Sequence, residues 1–197
     1  MMPRPKIAGR GIALAALVAA TPAIAQRCVD AADLAKARPM FSEYAVKTEK
    51  IARPASVVLA GREARRFRSA LRDAAKAGPN FAGHYTIAGW GCGASCTDWG
   101  VIDARTGKVT FDAKRRGVTA STSNDWPAYD DVAKAYRSAG SDKDFALLLF
   151  RADSSLLVML GAPNEDEARD GAHYLHWTGA RFEEVRFIEA FAICRKG

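Results

Sequence analysis

The sequence predicts an α+β fold resting mainly on antiparallel β-sheet, with hairpins, a C-terminal β-meander, an amphipathic helix and a short N-terminal helix packed on it. Three observations predict it. Ala64, Phe67, Leu71 and Ala74 fall on one helical stripe inside the segment 61–76. Arg105-Thr106-Gly107 separates two apolar runs, with Gly107 placed for the positive φ of a hairpin turn. Further on, the runs 145–150, 156–160, 172–177 and 182–188 follow one another with short connections and no fixed-period repeat. Strands joined by short turns pair antiparallel, and helices then pack against one side or end of the sheet.

The first 25 residues read as a secretory leader. Arg4, Lys6 and Arg10 precede an apolar run over 12–20, and Ala23-Ile24-Ala25 supplies an A-x-A cleavage site. Nine helical residues reach about 14 Å, half of a bilayer core, so the run is too short to span. Cleavage near Ala25 leaves 26–197 as a single globular domain, exported to the periplasm or secreted, and lowers the net charge from +7 to +4. An ordinary apolar fraction of 49% excludes a disordered chain, and four cysteines are too few for a disulfide-dense miniprotein. No later run suits a transmembrane segment.

In order along the mature chain, 29–37 predicts a short helix ended by Arg38-Pro39, and 41–51 a strand. A single helix is expected over 61–76, stopped by Gly78-Pro79. Its outer face carries Arg62, Arg65, Arg66, Arg68, Arg72 and Lys76 against only Glu63 and Asp73, the composition of a solvated face or of one that meets an anionic surface. A strand is expected over 81–90, and a hairpin from 98–104 and 109–111. The stretch 114–127 is polar and turn-rich, and 129–137 predicts a short helix closed around Gly140. Thr178-Gly179 should turn the last two strands of the meander.

Export gives the four cysteines a meaning. In an oxidising compartment an even count predicts two disulfides, and of the three connectivities Cys92–Cys96 with Cys28–Cys194 is favoured. The glycine-rich run Trp90-Gly91-Cys92-Gly93-Ala94-Ser95-Cys96 lets positions four apart close a ring.

The motifs Gly78-Pro79-Asn80-Phe81-Ala82-Gly83-His84-Tyr85, Trp90-Gly91-Cys92-Gly93 with Cys96, and Asp103 with Thr106-Gly107-Lys108 together resemble a signature of exported bacterial proteins known mainly as hypothetical proteins. Weaker similarity continues through 153–158 and 173–177. The resemblance implies secretion and a shared fold, and carries over no catalytic residue.

The cysteines, histidines and acidic residues bring four chemistries into question. Cys92-Gly93-Ala94-Ser95-Cys96 echoes a papain-type element, but the cysteines are one residue too far apart and Thr97 stands where an aromatic belongs. A hydrolase or thiol-dependent enzyme pairing Cys92 or Cys96 with a histidine is the alternative to a binding role. A zinc set of Cys92, Cys96, His173 and His176 is disfavoured because, on a strand, residues three apart point to opposite faces. The acidic run 164–170 lacks the glycine of a calcium loop. No catalytic residue, metal ligand or cofactor is therefore assigned. The remaining reading is a binding module: Gly91, Gly93 and Ser95 offer backbone and hydroxyl groups, His84, Tyr85, Trp90 and Trp99 offer rings, and the partner is a protein or a glycan, not nucleic acid.

Overall fold

The computed structural model describes residues 38–120, 126–141 and 145–189, the side chains of 126–130 excepted. The leader, the expected helix over 29–37, and the pair Cys28 and Cys194 lie outside the described residues.

The fold is α+β with two four-stranded antiparallel sheets. In the first, β1 (Tyr85–Gly93), β2 (Cys96–Asp103) and β3 (Val109–Thr110) lie in sequence order, and β4 (Val118–Thr119) pairs with the start of β2. In the second, β5 (Leu148–Leu149), β6 (Leu156–Gly161), β7 (Gly171–Trp177) and β8 (Phe182–Glu189) form the expected meander. Helices α1 (Gly61–Arg66) and α2 (Arg68–Ala77) cover one sheet and α3 (Trp126–Ser138) the other.

The order of layers follows from which residues are apolar on both faces of a strand. Ile87 and Ala88 are adjacent on β1, Val101 and Ile102 on β2, and all four are buried. Adjacent strand residues point to opposite faces, so this sheet needs cover on both sides. Ala88 and Ile102 meet Ala64, Leu71 and Ala75 of α1 and α2, while Ile87, Trp99 and Val101 meet Leu157, Met159 and Leu175 of the second sheet. The run Leu156-Leu157-Val158-Met159-Leu160 is buried throughout for the same reason: Leu157 and Met159 face the first sheet, and Leu156, Val158 and Leu160 face Val132, Ala133 and Tyr136 of α3. Each such leucine contributes about 2 kcal/mol by leaving water. The result is helix, sheet, sheet, helix, where the sequence predicted helices on one side or end.

Three local expectations are corrected. Residues 41–51 do not form a strand: Phe41–Tyr44 is a 3₁₀ turn, and the chain then runs on without regular structure to residue 60. Its amides bond to loop carbonyls, Val46 to Asp153, Glu49 to Gly83, Ala55 to Ala104 and Val58 to Gly107, so no ladder forms. We refer to this segment as the strap. The expected single helix is two, because Phe67 leaves helical geometry (φ −100°, ψ 21°), with its ring stacked on Trp90 at 4.3 Å. Finally, the turn-rich stretch after Lys114 contains β4, whose pairing to β2 is too short to leave a period-two pattern.

Candidate functional site

The β1–β2 hairpin gathers most of the residues singled out in the sequence, but it holds them at opposite ends. Its closed end is a two-residue tip, Ala94-Ser95, beyond the Gly93↔Cys96 pair. Cys92 and Cys96 form the expected disulfide, with Cα atoms 5.1 Å apart. Gly91, Cys92, Gly93, Ala94 and Ser95 are all exposed. Gly93 (φ 149°) and Ser95 (φ 54°) occupy the left-handed side of backbone space, which the staple and the hairpin geometry hold in place. A Cβ added at Gly91 or Gly93 would meet nothing within 4 Å. Gly91, moreover, has no positive φ that requires glycine.

At the other end, β1 begins at Tyr85 because Phe81–Tyr85 closes a tight turn through Ala82 (φ 43°) and Gly83 (φ 86°). Asn80 pairs its side-chain amide with the backbone of Ile87, donating to its oxygen at 3.2 Å and accepting from its nitrogen at 2.7 Å, which covers the free edge of β1. The strap crosses here. A Cβ at Gly83 would lie 2.7 Å from the Lys47 carbonyl oxygen, and one at Gly107 1.9 Å from that of Ser56. Both glycines thus exist to admit the strap.

Polar side chains fasten the crossing. His84 Nδ1 lies 3.4 Å from Glu49 of the strap and Nε2 lies 3.8 Å from Asp103 of β2. Arg105 donates two hydrogen bonds to Glu49, at 3.0 and 2.5 Å, and holds that carboxyl below its ordinary range. Asp103 in turn accepts from the Arg105 amide at 2.8 Å and from Thr106 Oγ1 at 2.9 Å, an Asx turn that shapes the approach to Gly107. Tyr85 lies over His84 with ring centroids 4.1 Å apart and donates to the Gly179 carbonyl at 3.3 Å. Burial raises the Tyr85 phenol, so it remains a donor at neutral pH. Every group in this cluster has an internal partner. It is chemically a clamp.

Seven residue steps along β1, about 23 Å, separate Tyr85 from Cys92. His84 and Tyr85 therefore share no surface with the tip. Trp99 is 1% exposed in the core against Phe182, and walls no site. Trp90 is half-buried between Phe67 and Phe111, and its indole N–H is buried without a hydrogen-bond partner among the described residues, so it packs the helices and offers no donor outward. Of the seven candidate residues, Gly91, Gly93 and Ser95 stand together on an open surface.

The remaining histidines are held apart. His173 is fully buried, bonded to the Arg169 carbonyl at 2.7 Å, and stacked on Phe187; burial lowers its pKa, which favours the neutral ring. His176 lies against Tyr44. Both lie on β7 of the second sheet while the stapled cysteines belong to the first, and no group of three or more potential metal ligands occurs among the described residues.

A second ionic cluster ties the tip end to the helices, and sequence reasoning missed it. Arg116 of the turn-rich stretch forks onto Asp98 of β2, at 2.7 and 2.5 Å, and also pairs with Glu63 of α1. Burial alone would raise the Asp98 carboxyl, but Arg116 and the amides of Trp99 and Gly117 outweigh it and hold the group below its ordinary value. Glu49, Asp98 and Arg116 carry no local signal, because the ion pairs among them and with Arg105 and Glu63 join residues 18 or more positions apart. The sole readable trace was the Asp103–Gly107 turn.

No protein-family model, curated protein or solved structure matches this chain.

Proposed function

We propose that the protein is an exported, non-catalytic binding module of the cell envelope, periplasmic or secreted, belonging to the group of exported bacterial proteins it resembles, and that it meets a protein or glycan partner through the stapled β1–β2 tip. One observation carries this reading. Gly91 needs neither a positive φ nor room for a neighbour of its own chain, yet it lacks a side chain beside an exposed disulfide. A bare strand end leaves the backbone amides and carbonyls approachable, and a stapled tip loses little entropy on binding.

The thiol-enzyme alternative draws no support from the geometry, since each sulfur is consumed by the other and the histidines sit elsewhere. To test the binding reading, a photo-crosslinking amino acid is placed at exposed Ala94 and, for comparison, at exposed Ala180, in cells exporting the protein. A discrete adduct is expected from Ala94 alone, and Gly91→Val should abolish it while leaving the thermal unfolding midpoint unchanged. Identical adducts from both positions, or an adduct that survives Gly91→Val, would refute the assignment to the tip.

A further inference from the structure

The outer face of α1 and α2 carries six basic side chains, and among the described residues the fold leaves its five arginines without a carboxylate partner. Arg62, Arg65, Arg66, Arg68, Arg72 and Lys76 are all exposed. The two acidic residues of this stretch are engaged already: Glu63 is paired by Arg116, and Asp73 takes Lys76 at 3.2 Å. No described carboxylate pairs with the five arginines. Arg68, Arg72 and Lys76 follow one another at intervals of four on α2, which places their Cβ atoms about 5–6 Å apart in a row, and Arg65 precedes them across the break at Phe67. Ala64, Leu71 and Ala75 on the opposite side are buried against β1 and β2, and Phe67 is stacked on Trp90, so the row is fixed to a rigid sheet.

We propose that this guanidinium row docks a linear acidic polysaccharide. The inference goes beyond the tip by adding a second binding surface with its own partner class, and it rests on the view of the protein as an envelope module. Three features favour a polyanionic chain over a lipid surface. Arg68 and Arg72 sit one turn apart on the exposed side of α2, so a linear polyanion meets them in succession. Five of the six cations on this face are arginine, whose planar fork takes carboxylates two bonds at a time. The apolar side of the helices is spent on the sheet, which leaves nothing to insert into acyl chains, whereas interfacial helices bind through a buried apolar face.

The test uses polygalacturonate and alginate as probes, dextran as the neutral control, and vesicles containing phosphatidylglycerol as the lipid arm. Arg65→Gln/Arg68→Gln/Arg72→Gln removes three charges from the row. Lys47→Gln/Lys50→Gln/Arg53→Gln removes three exposed charges from the strap. Both polyuronates should bind the wild type, more weakly as salt is added, and dextran should not. The row variant should bind about tenfold more weakly or worse, and the strap variant within about twofold of wild type. Equal losses in the two variants would overturn the proposal, as would no polyuronate binding by the wild type. Vesicle binding that depends on the row, without polyuronate binding, would also overturn it and assign the face to lipid. The Ala94 crosslink is read in parallel with the row variant. If it persists while polyuronate binding fails, the tip reading stands and this one falls.

Discussion

The two ends of the β1–β2 hairpin are built from the same materials, glycine and a polar or sulfur cross-tie, and are put to opposite use. At the Tyr85–Asp103 end, Gly83 and Gly107 are filled positions: the strap passes where their side chains would be, and His84, Arg105 and Asp103 bind it down. At the Gly93–Cys96 end, the space beside Gly91 and Gly93 is open and the cross-tie joins the hairpin only to itself. A glycine motif is thus neutral about function until its surroundings are known. Of the resemblance motifs, the part around Gly83, His84 and Gly107 serves the fold, and the part around Gly91 and Cys92 remains available to a partner.

The largest effect expected of this contrast is on stability. Gly107→Val forces a β-branched residue to φ 73° and drives its Cβ into the Ser56 carbonyl, so urea denaturation should show a loss of about 4 kcal/mol. Gly91→Val should change stability by no more than about 0.5 kcal/mol. Comparable losses at both would erase the distinction between the ends.

A smaller effect isolates the tip. Cys92→Ser/Cys96→Ser opens a short loop, for which chain entropy gives about 2 kcal/mol. Hydrogen exchange should quicken at 91–97 and stay unchanged at the Glu49 and Val58 amides of the strap. Faster exchange at both would mean that the ends are one cooperative unit.

The smallest effect separates the ends by pH. The Asp98 carboxyl is held below its ordinary value in the folded protein, so the unfolded chain binds the proton more tightly. Its contribution is full above the ordinary carboxylate value, near 4, and is lost as pH falls toward the lower folded value. Asp98→Asn should cost about 1 kcal/mol at neutral pH and flatten the decline in stability below pH 4. Glu49, also held low but more exposed, shifts in the same direction, and Glu49→Gln should flatten that decline less. The reverse ranking would place the stronger ionic tie at the strap.

Much of the architecture was readable because it rests on local patterns. Antiparallel sheet, the meander 156–188, the Gly107 turn and the Cys92–Cys96 pairing follow from alternation, turn chemistry and spacing, and all four are present. The strap misled because an extended chain that bonds to scattered loops has the composition of a strand without a ladder. The division of helix 61–76 at Phe67 was not legible because the ring on which Phe67 stacks, Trp90, belongs to a different element. The candidate site was half readable. Gly91, Gly93 and Ser95 were adjacent in sequence and remain so in space, whereas His84 and Trp99 looked close in sequence and were sent by strand length and by alternation to a remote end and to the core.

The sequence alone determined what depends on neighbours along the chain: the meander and the Gly107 turn, the staple and the basic composition of one helical face. Only the tertiary structure decided which glycines are filled and which are bare, that Asp98 and Glu49 are tied down, and that the arginines of α1 and α2 are left without carboxylates among the described residues. Those outcomes depend on residues tens of positions apart arriving at one point, and contacts of that range leave no period or spacing in the sequence from which to read them.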